Sequence, residues 1–318
     1  MEVDPSVQQP WPTDHELERV IKLAGDLFIF ASTVVNFTAL DPGDPVEHLK
    51  LILHPARLST SLDNPYTALD MLYDSALTAS LADAPLSTPS DLREATCRLF
   101  RQLVGSIVVL RYPLQYDEIS RLIGTKLLTS KKLIQKLHAV FLWAENQPVQ
   151  ILHPSFPEYL LSTERCYEKR LRISGAQQHR YLAFCCLRIM NQHLKPVISD
   201  VYEAVTLNSE IPDLEKHLAA KTTLELQYAC KNWIAHLSLA SSDCGYDDDT
   251  TAFMTELSKF LSHKALLWIE MISILGALDS SFTGYSEAAR WMEASASLIS
   301  HHRKHVDTEC MRTAVRNS

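Results

Sequence analysis

The chain has 318 residues, 46% of them apolar and 21% charged, a composition typical of globular proteins and not of disordered ones. Its 30 basic and 38 acidic side chains give a formal net charge of −8, which disfavours nucleic acid as a general partner. Seven cysteines with no Cys-x-x-Cys pair favour reduced thiols and a cytoplasmic location over a disulfide framework or a zinc site. We expect no membrane association, because no apolar run is long enough to cross a bilayer and the N-terminus does not have the pattern of a secretory signal.

Only 8 glycines occur, and apolar residues recur with helical spacing over most of the chain, so we predict a mostly α fold. Residues 14–39 are predicted to be helical, with a break near Gly25 and with Asp14 as the N-cap. Shorter helices are predicted at 48–53 and 66–81. The segment from Asp83 to Ser90 carries two prolines and two serines and is the predicted linker that ends a first helical domain, residues 1–90.

The next segment combines three helices with two short strands. Helices are predicted at 91–110, 116–123 and 130–139, and strands at 141–143 and 149–151. Helix, helix, helix and hairpin is the order of a winged helix, so we predict a winged-helix domain with a small β-hairpin over residues 91–165. A further helical domain is predicted over residues 166–318, with helices at 177–193, 212–238, 251–262, 264–278 and 285–302.

Several short motifs occur along residues 11–240. They are Trp11-Pro12 with the Lys22 to Ala31 segment, Leu69-Asp70-Met71-Leu72-Tyr73, Gly105 to Leu110, Leu152-His153-Pro154-Ser155-Phe156, Arg165-Cys166, and Tyr228 to Trp233 with His236-Leu237. In this order they resemble the region downstream of the nucleotide-binding core in fungal NACHT-domain proteins, which are STAND or NLR-like signalling switches. The resemblance implies a helical domain, a winged helix and a second helical domain.

In that family the histidine of the winged helix faces a bound nucleotide, so the resemblance implies that His153 reads a nucleotide phosphate. A helix start and an imidazole together favour a phosphate group. The alternative is that His153 caps a helix or bridges the hairpin. Ser155, two residues later, is interpreted as a helix-end hydroxyl, because no recognisable acidic partner completes a catalytic triad.

The chain departs from the family in one large respect. No Gly-x-x-x-x-Gly-Lys-Ser/Thr loop is present to hold phosphates, and the acidic strand that would hold Mg²⁺ is also absent. We therefore expect no ATP hydrolysis, no metal site and no cofactor in this chain, and ATP or ADP only when it is paired with a nucleotide-binding core. The sequence is expected to be either a truncated gene product or a stand-alone remnant.

The leading hypothesis is a non-catalytic regulatory and interaction module of a NACHT-like switch, whose partners are a core in trans or a second copy of itself. Its Gly25 to Ala31 helix is then expected to expose apolar residues. The alternative hypothesis is a winged-helix nucleic-acid binder that uses Lys131, Lys132 and Lys136, although a solvated helix face also explains these lysines. A third hypothesis, an enzyme, has no recognisable catalytic constellation to support it.

Overall fold

The computed structural model describes residues 11–39, 44–54, 65–81, 90–166, 168–197, 208–240 and 248–297. Helices account for most of these residues, which confirms the prediction of a mostly α fold. The predicted linker lies outside the described residues except for its last residue, Ser90. The chain divides into two compact units: unit 1 is Met1–Ser120 with Thr125–Ser174, and unit 2 is Arg121–Gly124 with Gly175–Ser318.

Among the described residues, unit 1 begins with four helices: α1 (Asp14–Ala24), α2 (Phe28–Thr38), α3 (Pro45–Ile52) and α4 (Pro65–Leu81). The N-cap of α1 is Thr13, one residue before the predicted Asp14, because Thr13 forms a capping box with Glu16. The backbone N–H of Thr13 donates to the Glu16 carboxylate over 2.9 Å, and the N–H of Glu16 donates to the Thr13 hydroxyl. The predicted break is confirmed, since Gly25 ends α1 with a φ of 49°.

The described residues that follow form three helices, a hairpin and a short helix, all in unit 1 except the last turn of α6, residues 121–123, which belongs to unit 2. These are α5 (Ser90–Val109), α6 (Tyr116–Ile123), α7 (Leu127–Lys136), β1 (Phe141–Leu142), β2 (Gln150–Ile151) and α8 (Ser155–Leu161). The strands are antiparallel, with Phe141 opposite Ile151. Asn146 takes a positive φ of 58° in the turn between them, a conformation that asparagine tolerates better than most residues. The segment before α6 joins the hairpin, because Gln115 bridges to Pro148.

Unit 2 is built from helices throughout its described part. They are α9 (Gly175–His193), a 3₁₀ turn (Asn208–Glu210), α10 (Leu214–Lys221), α11 (Leu224–Ser238), α12 (Asp248–His263), α13 (Ala265–Ile274), α14 (Leu278–Ser281) and α15 (285–297). The single helix predicted over 212–238 is wrong, because Thr222 and Thr223 take extended conformations between α10 and α11. The Thr222 hydroxyl donates to the Leu218 carbonyl over 2.6 Å and so competes with helix continuation.

The core of unit 2 forms where α9 packs along α11, with α12 and α13 against the same pair. Trp233, Phe260 and Trp268 meet edge to face, and the Trp268 indole N–H donates to the Cys230 carbonyl over 2.8 Å. The motif at Tyr228 to Trp233 therefore supplies core packing. In the part of the chain that is described, no helix combines the length and the apolar character needed to cross a bilayer.

Candidate functional site

Three of the motifs from the sequence meet at one place in unit 1, between α4 and the junction of the hairpin with α8. The Tyr73 hydroxyl lies 2.8 Å from the Ser155 hydroxyl, and the Ser155 hydroxyl lies 2.7 Å from Nδ1 of His153. One helical turn before Tyr73, Asp70 forms an ion pair with Arg165. The site is thus a line of polar groups that fastens the start of α8 and the segment after it to α4.

The hydrogen bonds at His153 define its tautomer. The backbone N–H of Ser155 donates to Nδ1 over 3.2 Å, so Nδ1 carries a lone pair and not a proton. The Ser155 hydroxyl then donates to the same nitrogen, and the Tyr73 hydroxyl donates to Ser155. Burial raises the pKa of Tyr73, which keeps its hydroxyl protonated as this arrangement requires. The proton of the neutral imidazole therefore sits on Nε2.

His153 is only partly buried, and its Nε2 has no hydrogen-bond partner among the described residues. The Nδ1 side of the ring is held by Ser155, so the ring has a fixed orientation. The outward Nε2–H can donate one hydrogen bond to an oxygen of another molecule. The imidazole is therefore both positioned and accessible.

The start of α8 differs from the expectation that a helix N-terminus and the imidazole would act together. The N–H of Ser155 is taken by Nδ1 of His153, and the N–H of Phe156 donates to the His153 carbonyl over 3.2 Å. Pro157 has no N–H, and the N–H of Glu158 donates to the Pro154 carbonyl. The backbone donors that a helix start normally offers to an anion are already used here, which leaves the imidazole as the outward donor.

The ion pair beside this line is nearly buried. The Asp70 carboxylate is 4% exposed and accepts hydrogen bonds from Arg165 Nη2 over 2.7 Å and Arg165 Nε over 3.0 Å. Burial raises the pKa of Asp70, and the Arg165 guanidinium offsets part of that rise. The guanidinium carbon also lies 5.2 Å from the centre of the Tyr66 ring, a cation–π contact. One face of α4 thus holds the site through the side chains of Tyr66, Asp70 and Tyr73.

Ser155 and His153 have the separation of a nucleophile and its base, yet the surroundings do not fit nucleophilic catalysis. Ser155 is 2% exposed, and its hydroxyl lies against the buried Tyr73. A substrate carbonyl has no open approach to that oxygen. The interpretation of Ser155 as a helix-end hydroxyl missed the bond to Tyr73, since the two residues are 82 positions apart. Within the described ranges, no group of three or more His, Cys, Asp or Glu side chains is arranged to hold a metal ion.

The first two helices leave apolar side chains unburied. No residue of α1 is buried, and both Leu17 and Ile21, one turn apart, are exposed. At the start of α2, Phe28 is 84% exposed. The Gly25 to Ala31 segment was expected to expose apolar residues, and Phe28 lies within it. Leu17, Ile21 and Phe28 are thus three large apolar side chains that the chain leaves exposed in its first two helices.

The lysines of the nucleic-acid alternative lie on α7. The Lys131 ammonium forms an ion pair with Glu145 over 2.6 Å and lies within 6 Å of the ring centres of both Tyr116 and Trp143. The first residues of α7, Leu127 and Leu128, are exposed leucines. Because its charge is already paired within the chain, Lys131 is a poor ligand for a phosphate backbone, whereas Lys132 is exposed.

The chain matches no protein-family model, no curated protein and no solved structure.

Proposed function

We propose that this chain is a non-catalytic regulatory and interaction module of a NACHT-like nucleotide switch, in which residues 91–165 form a winged helix. The order of α5, α6, α7 and the hairpin supports this assignment, as does the bridge from Gln115 to the hairpin. The module docks on a protein that carries the nucleotide-binding core. Nucleotide exchange on that core then shifts the complex between two states.

The exposed apolar residues of α1 and α2 carry this proposal. Burying a phenylalanine side chain contributes about 2 kcal/mol, and Phe28 gains almost none of this in the chain alone. Leu17 and Ile21 are also exposed and likewise lack part of the free energy that burial would contribute. A partner that covers these three side chains gains their burial on binding, which is the physical basis for docking in trans.

His153 is the proposed sensor in the docked complex. Its Nε2–H is available to donate to a phosphate oxygen of the nucleotide bound to the partner's core. Tyr73 and Ser155 fix the ring so that this donor keeps its direction. One hydrogen bond contributes only modestly to the free energy of nucleotide binding. It can therefore favour one state of the complex without locking it, and the nucleotide on the core decides which state forms.

The docking role is tested by co-purification of the full chain with an intact NACHT paralogue. Phe28→Asp is expected to weaken the complex about ten-fold or more, because it places a charge where an apolar side chain is buried. The matched control is Leu266→Asp in α13, since Leu266 is 82% exposed. Equal binding by wild type and Phe28→Asp, or an equal loss in both variants, contradicts docking through α1 and α2.

The sensor role is tested on the same complex by measuring its affinity for ADP and ATP. His153→Ala is expected to retain the partner and to weaken nucleotide binding about five- to ten-fold, the loss of one hydrogen bond to a charged oxygen. His138→Ala is the control, because His138 is also a partly exposed histidine of unit 1. An unchanged nucleotide affinity in His153→Ala removes the sensor role and leaves the docking role intact.

A further inference from the structure

Unit 2 contains a cavity of about 600 Å³ that the function proposed above does not use. It lies where the C-terminal ends of α6, α9 and α10 meet the start of α11. The charged and ionisable side chains that line it are Arg121, Arg188, His193, Lys195, Lys221 and Glu225. All of these residues belong to unit 2.

The sign of the charge in this cavity is opposite to that of the whole chain. Four permanent cations, from two arginines and two lysines, line it together with one carboxylate. The whole chain has 38 acidic and 30 basic side chains, so a typical surface patch should be slightly acidic. A concave wall with an excess of one charge concentrates counter-ions of the opposite sign. The cavity is therefore a local attractor for anions.

The carboxylate offsets only one of the four positive charges, because it pairs with Arg121. Glu225 is 3% exposed and accepts hydrogen bonds from Arg121 Nε over 2.7 Å and Arg121 Nη2 over 3.3 Å. The pair places the half-exposed Arg121 guanidinium at the cavity wall. The Lys221 ammonium donates to the Val197 carbonyl over 2.9 Å, a neutral partner that leaves its positive charge in place at the cavity wall.

Arg188 is positioned by the backbone at the C-terminal end of α6. Its Nη2 donates to the Leu122 carbonyl over 3.3 Å. The guanidinium lies against Gly124, where a Cβ atom would be 2.5 Å from Nη2. Gly124 therefore leaves room for the guanidinium and also takes a φ of 73° that suits glycine. Lys195 and His193 are exposed and supply movable donors at the rim.

We propose that this cavity binds a small organic polyphosphate, a compact molecule with at least two phosphate groups. Its volume is within the range of ligand pockets, and phosphate oxygens are the natural partners of several converging guanidinium and ammonium groups. With the Arg121–Glu225 pair counted, the lining keeps an excess of three positive charges, so a polyphosphate matches it better than a single phosphate does. No Phe, Tyr or Trp lines the cavity, so charge and not base stacking selects the ligand.

The test is calorimetric titration of the full chain with inorganic triphosphate at low salt. The double variant Arg188→Gln with Lys195→Gln is expected to bind about ten-fold more weakly than wild type, with a smaller dependence on salt concentration. The charge-matched control, Lys216→Gln with Lys259→Gln, removes two exposed lysines that do not line the cavity and should bind within about two-fold of wild type.

Lys195→Gln alone provides a second measurement, because Lys195 is exposed and its loss does not disturb packing. It is expected to weaken triphosphate binding about three-fold or more with an unchanged melting temperature in the absence of ligand. Absence of binding by the wild-type chain overturns the proposal. An equal loss of affinity in the cavity variant and in the charge-matched control also overturns it.

Discussion

Asp70 shows how a single buried charge depends on one distant residue. The carboxylate lies on α4, and the guanidinium that compensates it comes from Arg165, 95 positions later. The pair is asymmetric in exposure, since Arg165 still reaches solvent while Asp70 does not. Loss of the arginine leaves a desolvated carboxylate, which costs far more than the net contribution of the intact pair.

We therefore expect Arg165→Met to lower the free energy of unfolding by about 3 kcal/mol near neutral pH. Burial already raises the pKa of Asp70, and removal of the guanidinium raises it further. A raised carboxyl pKa in the folded state makes the protonated form the stable one, so the deficit should shrink as the pH falls from about 7 to about 5. Urea unfolding of wild type and Arg165→Met across this pH range measures the difference in stability. The double variant Asp70→Asn with Arg165→Met is the control, and it should lose the pH dependence.

The line from Tyr73 through Ser155 to His153 marks where sequence reasoning reaches its limit at the residue scale. His153 was singled out from its motif, and its accessible Nε2 is compatible with that choice. The sequence identifies Ser155 only as a helix-end hydroxyl, and it does not reveal the bond to Tyr73, because the two residues are 82 positions apart. Hydrogen bonds between distant side chains depend on packing, which no local pattern encodes.

At the scale of elements, the apolar periodicity predicted most helix positions, and the structure differs where single residues interrupt the backbone. Gly25 was recognised as a break because glycine is a known helix terminator. The break at Thr222 and Thr223 was missed, since threonines at this spacing also fit an amphipathic helix. The segment predicted over 264–278 ends earlier, at Ile274, because Gly276 takes a φ of 59°. Periodicity reports which face is apolar, whereas breaks depend on individual φ and ψ angles.

The helices also differ in how much of their apolar surface is buried within the chain. In unit 2, α11 buries eleven of its residues, whereas α1 in unit 1 buries none. The amphipathic pattern of α1 predicted a helix correctly and did not reveal whether its apolar face is covered within the chain. That difference is the basis of the proposed docking role, in which a partner covers the exposed face.

At the scale of the whole molecule, the two units are interleaved in sequence. Arg121–Gly124 belong to unit 2, although the residues on both sides of them belong to unit 1. The domain boundaries at 90 and 165 stay predictions, and nothing in the sequence around Arg121 indicated the interleaving. The ion pair from Arg121 to Glu225 spans 104 positions and connects this short segment to α11 of unit 2.

A fragment of residues 175–318 should therefore be unstable for an identifiable reason. The fragment lacks Arg121, so the buried Glu225 carboxylate has lost the guanidinium that it binds in the full chain. This loss should lower the free energy of unfolding by about 3 kcal/mol. Glu225→Gln is expected to raise the urea midpoint of the fragment and to lower that of the full chain, where it breaks the pair. Midpoints that move in the same direction in both contexts contradict the assignment of Arg121 to the stability of unit 2.

The interleaving also bears on the order in which the protein is made. Arg121 leaves the ribosome long before Arg188 and Glu225, which surround the same cavity. Unit 1 has all of its own residues once position 174 has been synthesised, whereas the Arg121–Gly124 segment of unit 2 is made before the rest of that unit, Gly175–Ser318. The ion pair from Arg121 to Glu225 can form only after residue 225 has emerged, about a hundred residues of synthesis later.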